Sequence, residues 1–216
     1  MTQIISARAV LLDMDGTLVD STAAVERIWL AWAAAHDLDP THVLSVIHGR
    51  QGHESMAILL PERDHAINLT ENQSMLANES NDVEGVVAIA GAQALLAALT
   101  PLPHAIVTSA DVTLMNARMN QAQLAVPALA ITAEHVTASK PDPEGFLHAA
   151  ALLGFDPADC VVFEDSGAGI RAGKAAGMRV IGVGPHAAAH DPDYVVADLT
   201  GVEVTANEEG FTLTLQ

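Results

Sequence analysis

Short, unbroken apolar runs recur along this chain, and helical stretches separate them. Ala9-Val10-Leu11-Leu12 comes first. Ala105-Ile106-Val107, Leu129-Ala130-Ile131, Cys160-Val161-Val162-Phe163 and Val180-Ile181-Gly182-Val183 follow, with a weaker run at Tyr194-Val195-Val196. A strand that is apolar at every position has no face for water, so both of its faces must be covered. Such runs alternating with helices predict an α/β fold with a buried parallel sheet. The intervening helices are expected near 92–99, 112–124, 144–153 and 168–176. With 216 residues the chain can bury one full core and carry a small insert.

The insert is visible as a break in the alternation. From about residue 20 to 83 there is no clear strand. Val25, Ile28, Trp29 and Trp32 recur at helical spacing, and the segments 44–48, 53–60 and 65–78 read as helix or loop of more polar character. A helical unit inserted after the first strand and perched on the sheet is expected. At the other end, 202–205 and 211–215 read as a β-hairpin closed by Ala206-Asn207-Glu208-Glu209-Gly210.

Charge and cysteine content narrow the function. There are 27 Asp and Glu against 9 Lys and Arg, a formal net charge of -18. A polyanion or an anionic membrane surface needs a basic face, so both are disfavoured as partners. One cysteine, Cys160, permits neither an internal disulfide nor a thiolate metal site. The N-terminal MTQIISARAVLLDMDG lacks a secretory layout, and no apolar run reaches spanning length. An acidic, soluble, cytoplasmic protein is expected, with no nucleic acid, no membrane and no obligate protein partner.

Parallel sheets place ligands at the carboxyl ends of their strands. The first run ends in Asp13-Met14-Asp15-Gly16-Thr17. If strand geometry continues, the two carboxylates point the same way, and such a pair needs a cation between them or a shared proton. The alternative is a polar turn in which Asp15 is a cap. The second run ends in Thr108-Ser109, which can bind an anion at a helix start or simply cap that helix. Ser139-Lys140-Pro141-Asp142-Pro143 holds one of the chain's two lysines in a proline-stiffened loop, placed to neutralise a phosphate or hold a carboxylate. Phe163-Glu164-Asp165-Ser166-Gly167-Ala168-Gly169 ends a buried strand in an acidic pair before a glycine-rich helix start. Oxygen donors in this number suit a hard cation such as Mg²⁺.

The set DMDGT, TS, KPDP and FEDSGAGI, in that order, resembles the haloacid-dehalogenase-like hydrolase superfamily. The resemblance covers about Ala7 to Val196 and implies a Rossmann-like parallel sheet with helices on both faces. It further implies a catalytic core of residues 1–18 and 84–216 and a small all-helical cap of residues 19–83. It makes Asp13 the nucleophile that forms an aspartyl-phosphate, and Asp15 the general acid/base. Thr108 and Ser109 become phosphate ligands, and Lys140 the cation that bridges phosphate and nucleophile. Mg²⁺ would be held by the Asp13 carboxylate, the Asp15 main-chain carbonyl and Asp165, with Glu164 as an outer or water-mediated partner.

Within the superfamily the sequence is similar to the sugar and polyol phosphatases, which act on small phosphorylated molecules. β-Phosphoglucomutases share the architecture, but they carry a His where Val25 stands and usually Val where Thr17 stands. True dehalogenases lack the acid that Asp15 supplies. The cap segment Ile47-His48-Gly49-Arg50 resembles the specificity loop of the phosphatases, with Gly49 permitting close approach and Arg50 reaching phosphate or sugar hydroxyl; an ordinary turn is the alternative. A mutase and a catalytically silent interaction module remain as competing readings. Glu84 is expected at the hinge or on a sugar hydroxyl, Trp29 and Trp32 in the cap core, and Cys160 in the sheet core as a small apolar residue.

Overall fold

The computed structural model describes residues 2–207 and 210–216. In chain order the strands are β1 (Gln3–Ala7), β2 (Ala9–Leu12), β3 (Val19–Asp20), β4 (Val87–Ala88), β5 (His104–Val107), β6 (Ala130–Ile131), β7 (Cys160–Glu164), β8 (Arg179–Val183), β9 (Tyr194–Val196), β10 (Val202–Asn207) and β11 (Gly210–Leu215). The helices are α1 (Thr22–Ala35), α2 (Pro40–Val46), α3 (Gly52–Leu59), α4 (His65–Asn81), α5 (Ala92–Leu99), α6 (Val112–Gln121), α7 (Glu144–Leu153) and α8 (Gly167–Ala175).

Among the described residues, six strands form one parallel sheet in the order β6-β5-β2-β7-β8-β9. All four residues of β2 are buried because helices cover both faces. Val10 and Leu12 pack with Leu95 and Leu99 of α5 and with Leu114 and Met119 of α6. Ala9 and Leu11 pack with Phe146 of α7 and Ile170 of α8. Truncating either leucine to Ala would cost roughly 2–5 kcal/mol, the usual range for a buried site that only partly collapses. The chain runs from β2 outward to β5 and β6, then returns to β7 on the other side of β2. That reversal leaves a crevice at the carboxyl ends of β5, β2 and β7.

Two features differ from the sequence reading. The strand ending before Asp13 is the second in the chain. β1 precedes it and pairs with β11 in an antiparallel sheet of order β1-β11-β10. Arg8 alone separates β1 from β2, and β1 buries only Ile5 and Ala7, so it shows no unbroken apolar run. The expected hairpin is β10 with β11, but Glu208 and Glu209 of its expected loop lie outside the described residues. Secondly, β3 and β4 form a short antiparallel ribbon, so residue 20 is in a strand.

Helices α1 to α4 lie between those two short strands. They share an apolar cluster of their own, including Trp29, Trp32, Val43, Ile47, Met56 and Met75. The rings of Trp29 and Trp32 meet edge to face at 5.3 Å between centroids. Glu84 is exposed in the connection that follows α4, and its carbonyl accepts a hydrogen bond from Arg27. Among the described residues, no helix is long and apolar enough to cross a membrane.

Candidate active site

β2 ends at Leu12, and the chain then folds around one carbonyl. Met14 O accepts from the N–H groups of Leu18 and Val19 at 2.8 and 3.0 Å. Gly16 sits at φ +81, and a Cβ there would lie 1.9 Å from Oδ2 of Asp165, so no other residue fits. The chain leaves strand geometry at this turn, yet Asp13 and Asp15 both line the same cavity, each with its own partners. Asp13 Oδ1 accepts from Lys140 Nζ at 2.6 Å. Asp15 instead accepts from Ser21 Oγ at 2.6 Å and from Arg118 Nη1 at 2.7 Å.

Lys140 is only 6% exposed. Its ammonium donates to Asp13, to Val107 O at 3.0 Å and to Glu164 Oε1 at 2.8 Å, which uses all three of its protons. The loop presenting it is pinned by Glu144, whose carboxylate accepts from the N–H groups of Thr137 and Ala138. Burial works against the charged ammonium, yet Asp13 and Glu164 outweigh it and hold Lys140 above its ordinary pKa. Glu164 is fully buried, and its other oxygen accepts from Ser166 N and Oγ at 2.7 and 2.9 Å.

Asp13, Glu164 and Asp165 can each bring one carboxylate oxygen within 4.8 Å of the others. Burial, reinforced by Glu164, pushes Asp13 up to about 7 despite Lys140. Burial, then Glu164 and Asp13, likewise raises Asp165 well above the usual carboxylate range. Lys140 is one ammonium facing three acids, so the cluster is short of positive charge. An all-oxygen donor set in that state fits a hard divalent cation. The Asp15 carboxylate lies outside this triad, which leaves its main-chain carbonyl for the ligand role expected of it.

Thr108 and Ser109 follow β5. The cap of α6 is Asp111, whose carboxylate accepts from Leu114 N at 2.8 Å, so neither hydroxyl is spent on capping. Both line a cavity of about 120 Å³ together with Asp13, Asp15, Asp165, Gly49 and Arg50. Gly49, at φ +79, presses against the core, where a Cβ would lie 2.1 Å from Ser166 Oγ. Its carbonyl accepts from Ser109 Oγ at 3.4 Å. Arg50 reaches the cavity with a buried Nε that has no hydrogen-bond partner among the described residues. Ser139, next to Lys140, donates to Glu54 of α3. Trp29 belongs to the insert's core and also lines the cavity. Cys160 is buried, and burial pushes its thiol up to about 11, an unreactive state.

The sequence pattern of haloacid dehalogenase-like hydrolases matches residues 7–177. The chain belongs to this family. Hexitol phosphatase A of Escherichia coli is 40% identical over 205 residues, covering 93% of this chain and 95% of that protein. 2-Deoxyglucose-6-phosphate phosphatase 2 of Saccharomyces cerevisiae is 34% identical over 230 residues, covering 92% and 91%. Among solved structures, a β-phosphoglucomutase from Clostridium difficile superposes with a TM-score of 0.72 at 22% identity, covering 89% of this chain and 92% of that one, a likeness of fold.

The family motifs leave two residues of this site unread. Arg118 of α6 is 4% exposed and bonds both Asp15 and, through Nη2 at 2.6 Å, Glu79 Oε2 of α4. Burial raises the Glu79 carboxyl while Arg118 pulls against it. One sequence signal marked Arg118. It stands on the face of α6 that buries Leu114, Met115 and Met119, where a charge requires a partner.

Proposed function

We propose that this family member is a Mg²⁺-dependent phosphatase of small phosphomonoesters, sugar or polyol phosphates above all, working in the cytoplasm through an aspartyl-phosphate. The observation that carries the reading is the Asp13–Lys140–Glu164 cluster beside Asp165, beneath a cavity that the helical insert closes. The phosphatase names of relatives at 40% and 34% identity support the same substrate class.

In this reading the insert is a cap. A free oxygen of Asp13 attacks phosphorus as the bond to the alcohol oxygen breaks, and Asp15 gives that oxygen its proton. Asp15 then takes a proton from water as the water oxygen attacks phosphorus, which releases phosphate and restores Asp13. Splitting the reaction this way replaces one hard step by two easier ones. Lys140 holds Asp13 in place and offsets its charge, while Thr108 and Ser109 donate to phosphoryl oxygens. Asp13, Asp165 and the Asp15 carbonyl would hold the metal, with Glu164 orienting the group from outside. When bound, the ion supplies positive charge against the phosphoryl oxygens. Val25 lines the cavity with no titratable group, which favours hydrolysis over the mutase alternative.

The test is phosphate release from a panel of hexitol and hexose phosphates, with isomer formation followed in parallel. Hydrolysis should dominate, vanish on exhaustive chelation, return with Mg²⁺, and be abolished in Asp13→Asn with the fold intact. Isomer formation without phosphate release, or full turnover in purified Asp13→Asn, would overturn the reading.

A further inference from the structure

We infer that Arg118 is a positioning residue for Asp15 and that Glu79 makes its action depend on the closed cap. This rests on the reading of Asp15 as general acid/base given above.

Four bonds carry the argument. Arg118 lies among apolar residues of α6, where an unpaired guanidinium would be costly. Its planar fork spends Nη1 on Asp15 Oδ2 and Nη2 on Glu79 Oε2, so one rigid group fixes two carboxylates at once. Asp15 Oδ1 is held by Ser21, the residue just before α1. Both oxygens of Asp15 are therefore engaged, and its rotamer is set by donors outside its own turn. Three of the groups involved lie on different units. Arg118 is on the core, Ser21 is where the chain enters the cap, and Glu79 is in the last turns of the last cap helix. Glu54 adds a parallel tie from the cap to Ser139, beside Lys140. A cap movement that withdraws Glu79 would cost the fork one of its two anchors, and with it part of the support that fixes the direction of Asp15. The acid/base is then aligned only while the cavity is shut against water.

The prediction separates chemistry from binding. Protonation matters for an alkyl leaving group and little for an activated aryl one. Hexitol 6-phosphate and p-nitrophenyl phosphate are the two substrates, with Mg²⁺ saturating. Asp15→Asn serves as reference and should lose far more on the hexitol phosphate, since acid/base catalysis supplies roughly 10²–10⁴-fold. Arg118→Met should follow the same pattern, losing roughly tenfold or more in kcat on the hexitol phosphate and less than about threefold on the aryl phosphate. Arg118→Lys, a point charge that cannot span both carboxylates, should recover part of the loss. Glu79→Gln should lower kcat on the hexitol phosphate in the same selective way and also, in a Trp32→Phe background, increase acrylamide quenching of Trp29, which lines the cavity and so reports its opening. If Arg118→Met fails to fold, Arg118→Lys and Glu79→Gln carry the test. Losses equal on both substrates, or Glu79→Gln with unchanged quenching and kinetics, would overturn the inference. If Asp15→Asn itself lost nothing selectively, the acid/base reading would fall first, and the inference with it.

Discussion

The binding role proposed for Arg50 rests on one unpaired atom of a side chain that also borders the cavity. A buried polar group without a partner costs about 1–3 kcal/mol, and Arg50 Nε can recover that cost by donating to an oxygen in the cavity it borders. Arg50 follows Gly49, whose carbonyl already meets Ser109, so the loop sets the guanidinium on the wall of the cavity, where the alcohol part of a substrate can meet it. Arg50→Ala should lower kcat/KM for sugar phosphates by roughly 10²-fold, mainly through KM, and leave p-nitrophenyl phosphate much less affected. Steady-state kinetics on both substrates decide it, since equal losses would put Arg50 on the phosphoryl group itself. At this scale the sequence was readable where a residue type follows a strand. Asp13, Lys140, Glu164 and Asp165 were found that way and are in fact adjacent. Glu79 was not, because its partner is 39 residues away and no motif links them. The partners of Asp15 were not legible either, since the chain turns about Met14 and Ser21 and Arg118 come from elsewhere in the fold.

Helices and strands were legible in proportion to how strongly burial patterned them. The sequence boundaries of α5 and α7 coincide with those of the structure, because each packs an apolar stripe against the sheet. β3 and β4, at two residues each, are too short to show any period. The cap helices are less patterned, and α4 is held in part by polar contacts. Glu71 on α4 accepts from Trp32 Nε1 at 2.9 Å and from the Arg63 guanidinium. The bond from Arg63 is the main cause that holds the Glu71 carboxyl at about 2, below its ordinary 4.5. A carboxyl depressed on folding stabilises the folded state above its unfolded pKa, and that contribution is lost as pH falls through its folded one. The cap should therefore weaken between about pH 4.5 and pH 2. Trp fluorescence against pH would follow it through Trp32, and Glu71→Gln should flatten that part of the curve relative to the native chain. An unchanged profile would mean that Arg63 and Trp32 do not support this helix.

For the molecule as a whole, a net charge of -18 faces a substrate that is itself an anion. The positive groups, Lys140, Arg50 and Arg118, lie in or beside the cavity and are paired or partly buried, so little of their field reaches far into solution. A phosphate dianion approaching from a distance meets the acidic surface first. Screening acts on that long-range repulsion more than on pairs inside the site, because the Debye length falls from about 30 Å at 0.01 M salt to about 10 Å at 0.1 M. Raising NaCl over this range should thus increase kcat/KM for a hexitol phosphate by a factor of about two or more, while kcat stays nearly flat. The measurement needs Mg²⁺ held saturating throughout, so that salt does not act by displacing the metal. The opposite sign would be informative about the cap. A fall in kcat/KM with salt would mean that Arg50 and its neighbours project an attractive field beyond the closed loop, and that the acidic exterior does not govern how substrate arrives.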